Sequence, residues 1–110
     1  MLQITVNGME YLGDRPDMGS LDFSSFPNLV GLYIESCGLE GSIPVQIGLL
    51  SNLTYLSLWA NRLTGNLPVS LTNLTHLKHL DLYSNNFSGK LPASFTNLCW
   101  LSAQDQTHKV

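Results

Sequence analysis

The stretch Asn52–Leu98, NLTYLSLWANRLTGNLPVSLTNLTHLKHLDLYSNNFSGKLPASFTNL, states one pattern twice. Leu53, Leu56, Leu58, Asn61, Leu63, Gly65, Leu67 and Pro68 return as Leu77, Leu80, Leu82, Asn85, Phe87, Gly89, Leu91 and Pro92, each 24 positions on. Leu29, Leu32, Ile34, Leu39, Gly41, Ile43 and Pro44 hold the same offsets one period earlier. Three coils therefore run from about Phe26 to Leu98. A coil of this size cannot bury its apolar side chains alone, so neighbouring coils must stack.

Each matched residue has a physical reason. In LSL and LDL apolar and polar residues alternate, as a short half-buried strand requires. The expected parallel strands lie near residues 32–34, 56–58 and 80–82, with Leu32, Leu56 and Leu80 in one buried column. Asn61 and Asn85 fall where the chain leaves the strand, and a buried amide there satisfies backbone groups the turn leaves unpaired. Gly41, Gly65 and Gly89 are placed to adopt a positive φ on the return stretch. Pro44, Pro68 and Pro92 fix φ and start the loose helical segment behind.

The spacing L-x-x-L-x-L-x-x-N-x-L at a period of about 20–29 residues is the signature of leucine-rich repeats. The fold expected is an α/β solenoid, a right-handed superhelix with a parallel β-sheet on its concave face and short helical or 3-10 segments on its convex side. Residues 1–25 read as an irregular N-terminal coil, 26–100 as three repeats of 24 residues, and 101–110 as a frayed or truncated tail. The irregular coil opens with a plausible strand, QITVN, whose Ile4 and Val6 point inward. In the tail, Gln104 and Gln106 fall at core positions, each at a cost of about 1–3 kcal/mol, so the fourth coil is not expected to form.

The segments GSIP, GNLP and GKLP extend the pattern to L-x-G-x-[IL]-P and resemble the plant-specific class of leucine-rich repeats. The lead-in GSLDFSSFPNL is similar to the first repeats of plant leucine-rich-repeat receptor-like kinase ectodomains. The likeness covers roughly residues 19–101, and the family's cysteine-paired N-terminal cap has no counterpart here. It implies a recognition module whose partner is a peptide ligand or a protein ectodomain, at the extracellular face of the plasma membrane or in the apoplast. The same coils are shared by secreted polygalacturonase-inhibitor-like defence proteins. A truncated gene product without independent function is the third reading.

Composition narrows the classes further. The chain has 110 residues, is 44% apolar and 12% charged, and carries a net charge of -3 with five Lys and Arg. That balance excludes a disordered tail and offers no electrostatic footprint for nucleic acid. No apolar run is long enough to span a membrane, and MLQITVNGMEYL lacks the basic and apolar regions of a secretory signal. Either the mature protein is intracellular or the chain lacks its natural beginning. No membrane contact and no cofactor are expected of this segment.

No catalytic set emerges from the pattern. Cys37 takes the position of Asn61 and Asn85 and reads as a buried structural thiol. Strands stacked about 4.8 Å apart hold Cys37 and Cys99 too far apart for a disulfide, which needs Cα atoms within about 7 Å. His76, His79 and His108 have no ligand spacing with either cysteine. Glu35 and Asp81 stand about 10 Å apart across two coils, too far for a retaining carboxylate pair and merely compatible with an inverting one, and they read as solvated surface charges.

Outward positions between the core leucines form columns up the sheet: Gly31, Tyr55, His79; Tyr33, Ser57, Asp81; Glu35, Trp59, Tyr83. The candidate partner-binding residues are Tyr33, Glu35, Tyr55, Ser57, Trp59, His79, Asp81 and Tyr83, with Trp59 and Tyr83 as neighbours. Exposed aromatics with polar company are the usual material of binding hot spots. The alternative is that these rings only cover the sheet. Three N-x-[ST] sequons, at Asn52, Asn73 and Asn86, are candidate glycan acceptors if the parent protein is secreted. A glycan on Asn86, three residues past Tyr83, would shield that ring.

Overall fold

A computed structural model describes residues 3–7, 17–89 and 100–101. Strands β1 (Gln3–Asn7), β2 (Gly31–Glu35), β4 (Tyr55–Ser57), β6 (His79–Asp81) and β8 (Trp100–Leu101) form one parallel sheet in that order. A second parallel sheet, absent from the sequence reading, joins β3 (Glu40–Gly41), β5 (Arg62–Gly65) and β7 (Asn86–Phe87). Four 3-10 helices, Met18–Ser20, Phe23–Ser25, Val45–Leu49 and Val69–Asn73, complete the described elements.

The leucine column is as the period requires. Leu32 pairs with Leu56, and Leu56 with Leu80. All three side chains are buried in one apolar core, together with Leu29, Leu53 and Leu77 before them and Leu39, Leu63 and Phe87 after them. Strands β4 and β6 begin one residue earlier than the alternation suggests, at Tyr55 and His79. Pro44 and Pro68 each stand immediately before a 3-10 helix, in extended conformation. Ile47 and Leu71 on those helices anchor the back of each coil in the core.

Gly41, Gly65 and Gly89 have φ of 87°, 80° and 79°. The freedom is needed twice over at Gly41, where a Cβ would also come within 2.9 Å of the Asp17 carboxylate. Less expected, Ser36, Ala60 and Ser84 also take positive φ, at 55°, 61° and 62°. Each immediately precedes the Cys37, Asn61 or Asn85 position. The bonds of those two asparagines hold the turn in a conformation that its residues do not themselves favour. Asn61 is buried as expected, whereas Asn85 is half-buried.

The expected strand QITVN is present at the amino end, and the register at the other end differs from the constant period. Strand β1 lies beside β2 in unbroken register from Gln3–Gly31 to Asn7–Glu35. Ile4 packs against the core, while the remainder of the irregular coil, residues 8–16, lies outside the described residues. At the other end Leu80 pairs with Leu101 and not with Gln104, because this coil advances 21 residues instead of 24. The register thus brings a leucine to the position where the constant period put an amide. The rest of the tail, with Gln104 and Gln106, lies outside the described residues, as do Cys99, Leu91 and Pro92.

Candidate functional site

The face of the five-stranded sheet carries the candidate residues, and strand register fixes their columns. Gly31 pairs with Tyr55 and Tyr55 with His79; Tyr33 pairs with Ser57 and Ser57 with Asp81. Beyond the strands the stacking continues through the backbone. The Ser36 amide donates to the Trp59 carbonyl at 3.0 Å, and the Ala60 amide donates to the Tyr83 carbonyl at 3.0 Å. Trp59 and Tyr83 hence occupy successive coils, and they are 41% and 37% exposed.

The rings on this face make contacts that the columns alone did not foresee. Tyr33 and Tyr55 lie with centroids 4.7 Å apart at 36°, although they belong to different columns. Tyr55 then stacks on His79 at 4.8 Å and 26°. Gly31, opposite Tyr55, has no side chain, so the diagonal approach of Tyr33 meets no obstacle. Such pairs add about 0.5–1.5 kcal/mol beyond the area they bury. The result is a half-buried ladder of three rings climbing three coils.

Ser57 departs from expectation. It is 1% exposed and so offers no surface to a partner. Its small side chain lies low between Tyr33 and Asp81, and its hydroxyl donates to the Glu35 carboxylate. Ser57 therefore holds Glu35 in position. Asp81 is fixed in a similar way, its Oδ1 accepting the Tyr83 amide at 3.1 Å. Partial burial pushes the Tyr33 phenol above its ordinary pKa of 10.0, and negative charge on Tyr55 and Glu35 adds to the effect.

Charge on the face is one-sided. Strands β2, β4 and β6 carry the carboxylates of Glu35 and Asp81 and no Lys or Arg; Lys78 precedes β6. Arg62 belongs to the lateral sheet, 3.7 Å from Glu40 and largely in solvent, where such a pair contributes about 1 kcal/mol or less. Cys37 is buried, with its thiol donating to the Glu35 carbonyl at 3.2 Å. Among the described residues no group of three or more His, Cys, Asp or Glu could hold a metal ion.

The sequon asparagines are all exposed, and none is on the sheet face. Asn52 is in the turn before β4, and Asn73 closes the 3-10 helix Val69–Asn73. Asn86 sits in β7, paired with Thr64. It therefore belongs to the lateral sheet and not to the ring-bearing strands.

A family model described as leucine rich repeats in two copies matches residues 51–102. That match covers just under half of the chain and agrees with the coil register. The chain has the fold of a leucine-rich-repeat solenoid. Its fold is similar to the leucine-rich-repeat ectodomain of the receptor kinase SOBIR1 from Arabidopsis thaliana, with a TM-score of 0.69 and 33% identity over 92% of this chain. It is also similar to the ectodomain of the plant membrane receptor kinase GASSHO1/SCHENGEN3 from Arabidopsis thaliana, with a TM-score of 0.65 and 38% identity over 88% of this chain. That ectodomain was solved in complex with CASPARIAN STRIP INTEGRITY FACTOR 2. The leucine-rich-repeat solenoid described here spans 54% of the first of these chains and 11% of the second. No curated protein sequence matches it. Among the described residues no helix is long and apolar enough to cross a membrane.

Proposed function

We propose that this solenoid is part of a receptor-like ectodomain that recognises a peptide or a partner ectodomain through the face of its five-stranded sheet. The observation that carries the reading is the combination on one face of the Tyr33–Tyr55–His79 ladder with the exposed rings of Trp59 and Tyr83. Rigid aromatic side chains lose little entropy on binding and supply large contact areas. Glu35 and Asp81, each held by a hydrogen bond, give the same face its polar contacts. The similarity to plant receptor-kinase ectodomains supports an extracellular setting and a non-catalytic role.

The contacts proposed are Tyr33, Glu35, Tyr55, Trp59, His79, Asp81 and Tyr83, with Ser57 as the support for Glu35. A displayed peptide library selected against the full chain supplies ligands for the test. Truncating Trp59 to Ala is expected to weaken the selected binders by about 2 kcal/mol or more. Gln46→Ala, an exposed change on the far side, should leave their affinity alone. Binders indifferent to Trp59→Ala and Tyr55→Ala would place recognition on another face.

A further inference from the structure

Three large apolar side chains stand in solvent on the side of the solenoid away from the sheet. Val45 is 64% exposed, Leu49 54% and Val69 79%. They belong to two 3-10 helices packed side by side, Val45–Leu49 and Val69–Asn73. Val45 and Val69 occupy the same repeat position in successive coils, and the position of Leu49 is taken one coil later by Asn73. Large apolar side chains left in solvent on neighbouring helices are the kind of surface that calls for a cover.

The sequon at Asn73 lies at the end of the second of these helices. Asn73 is exposed, and its amide nitrogen reaches back toward the preceding helix: a methyl group placed on Gly48 would lie 3.2 Å from it. Gly48 is the chain neighbour of Leu49. Whatever is attached to that nitrogen begins between the two helices, beside Leu49 and at the end of the helix that starts with Val69.

We propose that Asn73 carries an N-linked oligosaccharide that covers the apolar strip of Val45, Leu49 and Val69. The Asn73 amide nitrogen forms a bond to the anomeric carbon of an oligosaccharide carried on a lipid pyrophosphate. The carbon–oxygen bond to the pyrophosphate breaks, the amide gives up one proton, and the lipid pyrophosphate departs. The apolar faces of the first sugars then lie over the valines, while their hydroxyls face water. Asn86 lies in the lateral sheet, paired with Thr64, and serves as an internal control.

The inference rests on the extracellular reading above, and the experiment separates the two. The full chain is secreted from a eukaryotic cell behind an appended signal segment, so that it meets the transfer machinery whatever its native location. Asn73→Gln and Thr75→Ala each remove the sequon, and the second keeps the Asn73 side chain. Both should lose the same carbohydrate mass by mass spectrometry. Both should also bind several-fold more of a dye specific for exposed apolar surface, with the thermal transition retained. Adding Val45→Thr and Val69→Thr to Asn73→Gln should return the dye signal to that of the parent. An unmodified Asn73 overturns the proposal, and so does carbohydrate lost without a rise in dye binding. An equal rise in Asn86→Gln overturns it as well. None of these readouts involves the Trp59 face, so peptide binding can fail while this result stands.

Discussion

The side chain of Asn61 completes the turn at Cys37, one coil earlier. Its Oδ1 accepts the Cys37 amide at 3.0 Å and the Leu39 amide at 3.1 Å. Its Nδ2 donates to the carbonyls of Ile34 at 2.8 Å and of Leu58 at 2.9 Å. One carboxamide thus ties two coils through both of its ends, in a site that is 8% exposed.

Asn61→Leu should therefore destabilise the chain although it adds apolar surface. It leaves several buried backbone groups without partners, at about 1–3 kcal/mol each. Asn85 makes the same kind of bonds, with Oδ1 accepting the Leu63 amide at 3.0 Å, but it is half-buried. Asn85→Leu should cost less, because water can replace part of what is lost. Urea denaturation of the two variants orders them. Equal losses, or none, would mean that these amides do not close the turns.

A second expectation concerns Gly41 and Asp17. Alanine at Gly41 must keep φ near 87°, a strain of about 1–2 kcal/mol. It also displaces the Asp17 carboxylate, which accepts the Gly19 amide at 2.7 Å at the start of the first 3-10 helix. Gly41→Ala should consequently cost more in the parent chain than in an Asp17→Ala background. A double-mutant cycle by chemical denaturation reads the difference. Strict additivity would show that the two residues act independently.

The third concerns alkaline pH. The Tyr33 phenol holds its proton more tightly folded than unfolded, first because of partial burial and then because of Tyr55 and Glu35. Its contribution is present below the unfolded value of 10.0 and is lost as the pH rises through the folded value. Tyr33→Phe has no phenol to ionise. As the pH rises past 10.0 the parent should lose stability relative to this variant. Parallel pH profiles would show that Tyr33 ionises without a folding penalty.

Much of this was readable in the residues. The 24-residue recurrence of leucine fixed the core column, and the asparagine and glycine positions followed from the turns they serve. The remainder depends on contacts that cross the repeat. Ser36, Ala60 and Ser84 share no residue type that favours positive φ; neighbouring asparagines impose it. The lateral sheet is made of segments of two to four residues, too short to show an alternation. Tyr33 meets Tyr55 diagonally, so a column-by-column reading separates them. Ser57 is buried because the larger groups around it close over a small side chain. The 21-residue advance to Leu101 breaks the one rule that the period supplied.

The asparagine bonds also have a direction. Asn61 satisfies amides of the coil before it, and Asn85 does the same for Leu63. A coil's turn thus stays incomplete until the asparagine of the following coil is in place. On a ribosome, where the amino end emerges first, each coil waits for its successor before its backbone is satisfied. Consolidation of the solenoid accordingly trails synthesis by one repeat, and the growing end is always the unfinished one. A pause in translation within a coil would leave the preceding turn open, and its amides would be the last to gain protection from hydrogen exchange.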